Sequence, residues 1–269
     1  MQLEQHVAWL TNSKGKKYED RYLLPLGALP ERLEAAETDA EANAVQAKMD
    51  ALTARGLVFA VLDGVGGAPL GMAAAQKTVD TLRGLYTRAE FAPRAGHPTA
   101  REILGLLYEA NEAVFAWGPM DDGDDVALVD ASARPRGAAC LTAAYISPAG
   151  NVTLFQAGDT SAFVYRKRKG TLELFTGEAD LAGRSVRSFI GLGPALRIDT
   201  FPVHGLESDD LVVLVTDGVF PKGCSGQEQV RQLLDESEGD VEAASRLLVE
   251  RSRARGSVDD ITALVLRVA

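Results

Sequence analysis

The hydrophobic pattern of this chain is dominated by uninterrupted apolar runs rather than by alternation. Leu57-Val58-Phe59-Ala60-Val61-Leu62 stops at Asp63, Leu211-Val212-Val213-Leu214-Val215-Thr216 lies between Asp210 and Asp217, and Ile261 to Leu266 follows Ser257-Val258-Asp259-Asp260. Each run predicts a strand buried on both faces, with a carboxylate at its end. Segments 138–146, 152–157, 162–166 and 172–175 predict four more strands. Turns at Pro148-Ala149-Gly150-Asn151 and Lys167-Arg168-Lys169-Gly170 predict that these strands form an antiparallel meander, broken at Gly158-Asp159-Thr160 by a bulge or a site. A short strand at 21–26 is stopped by Pro25.

Helical spacing appears elsewhere. Pro69 to Tyr86 reads as a helix, and a capping box at Thr99-Ala100-Arg101-Glu102 opens another that carries Ile103, Leu107, Ala110 and Val114 on one face to about Trp117. Ser225-Gly226-Gln227-Glu228 opens a third with Val230, Leu233 and Leu234, and a fourth, with Val241, Ala244, Leu247 and Leu248, ends at Gly256. Residues 30–55 form an exposed helical excursion, interrupted around 38–43; a partner-binding helix is the less favoured reading. Residues up to Lys17 are polar, and 176–194 read as a loop or short helix. Helices in two blocks between runs of strands predict an α+β fold: two mostly antiparallel sheets face to face with helices outside. The expectation is one domain over 1–269, with a helical insertion at about 30–56.

Charge narrows the partners. A formal net charge of -10 argues against a nucleic-acid backbone as partner, since such binding depends on phosphate neutralisation by Lys and Arg, and suits a cation. No basic-plus-apolar leader and no membrane-length run occur, so the expectation is a cytoplasmic protein without a membrane partner. Cys140 and Cys224 make neither a disulfide framework nor a zinc set. Asp121-Asp122-Gly123-Asp124-Asp125 lacks EF-hand spacing and reads as a solvated loop.

The Asp-Gly pairs at 63–64 and 217–218 would ordinarily signal hairpin turns, but helices rather than strands follow both. Taken together they favour a site. Asp20, Asp63, Asp217 and Asp259 are carboxylates without accompanying His or Cys, a donor set that selects Mg²⁺ or Mn²⁺. Four acids at one end of a sandwich would repel unless divalent ions lay among them, and two ions can share and activate a water for in-line hydrolysis of a phosphate ester. His6, His97 and His204 lie outside these motifs and read as surface residues.

Six segments in order carry a resemblance: Glu19-Asp20, Asp63-Gly64-Val65-Gly66-Gly67, Gly137 through Ala144, Ala157-Gly158-Asp159-Thr160, Val215-Thr216-Asp217-Gly218 and Val258-Asp259-Asp260-Ile261-Thr262. They resemble the motifs of the metal-dependent serine/threonine protein phosphatases of type 2C (PPM), in particular the bacterial subgroup. The resemblance implies a four-layer α-β-β-α sandwich holding two Mg²⁺ or Mn²⁺ ions, with a third, weaker one at Asp159. It implies that Asp63 bridges the ions, that the Gly64 carbonyl binds one, and that Asp20, Asp217 and Asp259 hold the centre directly or through water. Asp63 and Asp217 are then the catalytic acids, acting through metal-held water on a phosphoserine or phosphothreonine protein that a Ser/Thr kinase has modified. Three positions depart from the family. Gly15, between Lys14 and Lys16, stands where an Arg usually grips substrate phosphate, so the two lysines become the phosphate candidates. Val65 stands where eukaryotic relatives carry a histidine, and Ser161 replaces an arginine. Those substitutions motivate the alternative of a catalytically weak or inactive module that binds phosphoproteins. A dinucleotide loop at 63–67 is the third reading, disfavoured because the spacing is not G-x-G-x-x-G and Asp63 would face a pyrophosphate.

Overall fold

The computed structural model describes residues 3–13, 15, 17–65, 68–91, 99–118, 135–175, 188–220 and 226–268. In chain order the elements are β1 (Leu3–Leu10), β2 (Arg21–Leu23), α1 (Leu29–Glu34), α2 (Asp39–Thr53), β3 (Leu57–Gly64), α3 (Gly71–Leu82), α4 (Gly84–Thr87) and α5 (Ala100–Phe115). They continue as β4 (Ala139–Ile146), β5 (Val152–Ala157), β6 (Ser161–Arg166), β7 (Thr171–Phe175), β8 (Asp199–Val203), β9 (Leu211–Val215), α6 (Gly226–Glu236), α7 (Val241–Ala254) and β10 (Ile261–Val268). Among the described residues two five-stranded sheets result, ordered β1-β10-β9-β6-β7 and β2-β3-β4-β5-β8, and every strand pairing is antiparallel.

The continuous apolar runs follow from this layering. On β3, Leu57, Phe59 and Val61 enter the core between the sheets, whereas Val58, Ala60 and Leu62 pack with Val79 and Leu82 of α3 and Ile103 and Leu107 of α5. On β9, Val212 and Leu214 join the inter-sheet core, while Leu211, Val213 and Val215 meet Leu234 of α6 and Leu248 of α7. Strands covered on both faces lose the polar alternation of a half-exposed sheet. The expected α-β-β-α sandwich is therefore present, with one apolar layer at each of its three interfaces.

Three expectations are revised. Segments 138–175 do not form one meander: β4 and β5 belong to one sheet, β6 and β7 to the other. The chain changes sheets at Gly158-Asp159-Thr160, where Gly158 adopts φ +105° against the side chain of Cys140, a place no Cβ could occupy. The Thr142 and Thr160 hydroxyls, 2.7 Å apart, and Gln156 Nε2, which donates to the Gly158 carbonyl, staple this corner. Second, residues 3–10 are not merely a polar lead-in, because β1 pairs with β10 from Leu3↔Val268 to Leu10↔Ile261. As an edge strand it is only half covered, which is why its residues lack an apolar run. Third, the break in the 30–55 excursion falls at 35–38, where the Thr38 hydroxyl accepts from the Glu41 amide at 3.2 Å and starts α2. Val45 is the buried residue of α2, and Arg55 beyond it ties the excursion to the Leu85 carbonyl at 2.9 Å.

The predicted helix over 69–86 is divided at Arg83 into α3 and α4, and the Thr99–Glu102 box starts α5 with the Glu102 carboxylate accepting from the Thr99 amide at 2.7 Å. Cys140 is a buried free thiol. His6 is half-buried rather than on the surface, its Nδ1 2.6 Å from Ser245 Oγ, and His204 is exposed. The proposed Ser225 box, Cys224, His97, the acidic stretch 121–125 and most of 176–194 lie outside the described residues.

Candidate metal centre

Three strands deliver acids to one end of the sandwich. Asp63 is the penultimate residue of β3, Asp217 follows β9 after Thr216, and Asp20 directly precedes β2. Asp159 sits at the corner between β5 and β6, and Asp259 lies just before β10. Close backbone packing fixes these ends. Gly64 meets the N-terminus of α3, where a Cβ would lie 2.6 Å from the Gly71 carbonyl carbon, and Gly218 presses on the Asp260 carbonyl so tightly that only glycine fits. The Ser257 hydroxyl donates to the Gly218 carbonyl at 2.7 Å, and the Thr216 amide donates to the Thr262 carbonyl at 3.1 Å, locking the start of β10 against the end of β9.

Burial pushes the Asp20 carboxyl up to about 7, opposed by the hydrogen bonds it accepts from Thr262 and Thr216. Asp217 is also pushed up to about 7, by burial first and then by the charges of Asp159, Asp259 and Asp20. Asp63 is held well above the ordinary carboxylate range by burial and by Asp20, Asp217 and Asp159 in turn. All five predicted acids thus act on one electrostatic locus. Among the described residues, however, no three such side chains converge tightly enough to form a ready-made metal cage. The two facts are compatible, because carboxylates repel one another over several Å whereas direct ligation needs oxygens within about 2.0–2.6 Å of one point. Lys14, Lys16, Gly66 and Gly67 lie outside the described residues; Gly15 adopts φ +68°.

Hydroxyls and a second aspartate complete the frame, and the sequence reading missed them. Asp20 is 1% exposed, and its Oδ2 accepts from Thr262 Oγ1 at 2.6 Å and from Thr216 Oγ1 at 3.0 Å. Its Oδ1 is buried without a hydrogen-bond partner, as is Oδ1 of Asp159. Asp260 stands next to the predicted ligand Asp259 but serves the backbone instead, its carboxylate accepting from the Asn12 amide at 2.6 Å, Asn12 Nδ2 at 2.9 Å and the Glu19 amide at 2.7 Å. It clamps the β1–β2 loop that carries Asp20. Arg21 braces the same loop from the other side, donating to the Asp20 carbonyl at 2.6 Å and the Tyr18 carbonyl at 3.1 Å. A hydroxyl residue closing an apolar run beside an acid, as in Val215-Thr216-Asp217, was the available sequence signal.

An anionic, partly desolvated cluster with two orphaned carboxylate oxygens fits hard divalent cations. The family model described as stage II sporulation protein E (SpoIIE) matches residues 53–269. The chain belongs to the SpoIIE family. No curated protein sequence matches it. Among solved structures, the SpoIIE-family chain is similar to the serine/threonine phosphatase of S. agalactiae, with a TM-score of 0.68 and 18% identity over 100% of both chains. It is similar to PppA of Pseudomonas aeruginosa, described as a regulatory component of T6SS, with a TM-score of 0.67 and 22% identity over 99% of this chain and 98% of that one. The catalytic domain of the serine/threonine protein phosphatase PstP, in complex with two manganese ions, gives 0.66 and 17% over 99% and 98%. These likenesses establish the sandwich as the PPM phosphatase fold and thereby bear out the predicted resemblance.

The electrostatics carry a prediction for the metal-free protein. Carboxyls at about 7 when folded and near 4 when unfolded mean that, between those values, the unfolded chain binds fewer protons. Stability contributed by the protonated acids is therefore full below about pH 4 and is lost as pH rises through about 7. In chelator, the melting temperature should fall from about pH 5 to about pH 8 by roughly 3–10 °C, corresponding to about 1–3 kcal/mol. Thermal melts across that range check it. A flat or rising profile would show that burial and mutual repulsion do not raise these carboxyls.

Proposed function

We propose that this SpoIIE-family chain is a metal-dependent phosphatase that removes phosphate from phosphoserine or phosphothreonine in a protein. The carrying observation is the meeting of Asp20, Asp63 and Asp217, with Asp159 and Asp259 beside them, at one end of a PPM-type sandwich. Asp63, central to the cluster, and Asp217 would hold the two ions, with the Gly64 carbonyl, Asp20 and Asp259 completing their shells directly or through water; Asp159 would hold a third. Mg²⁺ or Mn²⁺ bound there would neutralise the acids and activate a shared water for in-line attack at phosphorus. The complex of PstP with two manganese ions supports this assignment. The protein's own part is positional: β3, β9 and the β1–β2 loop hold anions where repulsion would otherwise drive them apart, and the loop's lysines, Lys14 and Lys16, would meet the substrate phosphate.

Among the described residues no helix is long and apolar enough to cross a membrane. The reading places the reaction in the cytoplasm, on a protein phosphorylated by a Ser/Thr kinase, and the buried free thiol of Cys140 suits a reducing compartment. The test is phosphate release from a phosphothreonine peptide with Mn²⁺ and with chelator. Turnover with Mn²⁺ alone is expected. Peptide binding without release would instead favour a phosphoprotein-binding module, the reading that Ser161 and Gly15 motivate.

A further inference from the structure

The hydrogen bonds around Asp20 have a direction. A hydroxyl carries one proton, so a threonine that donates to Asp20 Oδ2 can only accept in any further hydrogen bond it makes. Thr216 Oγ1 receives the backbone N–H of Thr262 at 2.9 Å, a group that can only donate, and its proton is therefore left for Asp20. Thr262 Oγ1 lies 2.6 Å from the hydroxyl of Tyr18. With the Thr262 proton on Asp20, the Tyr18 phenol is the donor. The chain runs one way, from Tyr18 to Thr262 to Asp20 Oδ2; among the described residues no hydroxyl or amide reaches the buried Oδ1, and the carboxyl group that Asp20 meets is that of Asp63, a fellow acid of the same centre.

We propose that Tyr18 is a positioning residue for the metal centre: through Thr262 it keeps Oδ2 of Asp20 occupied and reserves Oδ1 for a divalent cation. The inference rests on the metal-dependent reading above and extends it to a residue that is neither an acid nor a ligand. Tyr18 is itself firmly placed. Its ring packs on Trp9 with centroids 5.4 Å apart, its carbonyl accepts from Arg21, and the amide of the next residue, Glu19, is held by Asp260. The phenol oxygen is thus delivered to Thr262 by packing that does not depend on the hydrogen bond.

That independence makes the test clean. Tyr18→Phe removes the oxygen and keeps the ring on Trp9. Mn²⁺ titration of the full chain by calorimetry should give an affinity weakened about 10-fold in Tyr18→Phe and about 100-fold in Thr262→Val, with Thr262→Ser restored to near wild type, in the range found when groups supporting metal ligands are removed. Melting of metal-free Tyr18→Phe should stay within about 4 °C of wild type, the loss expected from removing one hydrogen bond at a half-buried ring. Unchanged Mn²⁺ affinity in Tyr18→Phe, or a larger loss of metal-free stability, would overturn the positioning role and leave the metal centre standing. A wild-type chain that binds no Mn²⁺ would overturn both.

Discussion

Asp63→Asn should nearly abolish Mn²⁺-dependent phosphate release and, in the same protein, raise the melting temperature measured in chelator. The first effect follows from its position: Asp63 feels Asp20, Asp217 and Asp159, so it is the acid that cations at this locus would share. Losing metal activation worth several kcal/mol corresponds to a fall of roughly 1000-fold or more. The second effect follows from the same geometry without metal. Asn has nearly the shape of Asp but no charge, so it removes one member of a buried, repelling set. Hydrolysis of p-nitrophenyl phosphate with Mn²⁺, paired with thermal melts in chelator, checks both. Asp217→Asn should behave alike, and the double variant should lose little more than either single one, because the acids act as a unit. Activity above about a tenth of wild type in Asp63→Asn would remove Asp63 from the centre of the proposal.

Arg166→Met should have the larger effect on stability and almost none on metal binding. Arg166 is 6% exposed at the end of β6 and donates to Asp210 at 3.1 Å, to both Glu173 oxygens at 3.0 and 3.1 Å, and to the carbonyls of Gly205 and His204 at 3.0 and 2.8 Å. Asp210, 3% exposed, also accepts from the amides of Lys167 and Glu207. Removing the cation strands a buried carboxylate, which costs about 3–5 kcal/mol. Urea unfolding measures that loss. Calorimetry should return an unchanged Mn²⁺ affinity, because Asp210 and Asp217 lie at opposite ends of β9, roughly 15–20 Å apart along the strand. Replacing Asp210 by Leu in the same chain should recover only part of the stability, since it removes the stranded charge but leaves the amides of Lys167 and Glu207 without their acceptor. A drop below about 1 kcal/mol would mean that the network is no more than a surface ion pair.

Sequence and tertiary structure determined different parts of this protein. The strands at 57–64, 211–215 and 261–268 and the helices at 71–82, 100–115 and 241–254 were legible because local patterns specify them: long apolar runs for strands covered on both faces, three-to-four-residue spacing and capping residues for helices. Asp63 and Asp217 were legible because an acid that ends an apolar run stands out within a few residues. Other features were set by partners far along the chain. β1 is a strand because β10, more than 250 residues away, offers it an unpaired edge, and nothing in Leu3–Leu10 announces this. The change of sheet at Gly158-Asp159-Thr160 depends on Cys140 filling the space where a Cβ would stand. The clamping role of Asp260 is likewise invisible in the sequence, because Asp259 and Asp260 look alike until one of them holds the amides of Asn12 and Glu19. The sequence alone thus determined the elements and the acids at their ends, both of which are local. Only the tertiary structure decided which oxygen of which acid is spent on the protein and which is left open, because hydrogen bonds between distant segments make that choice.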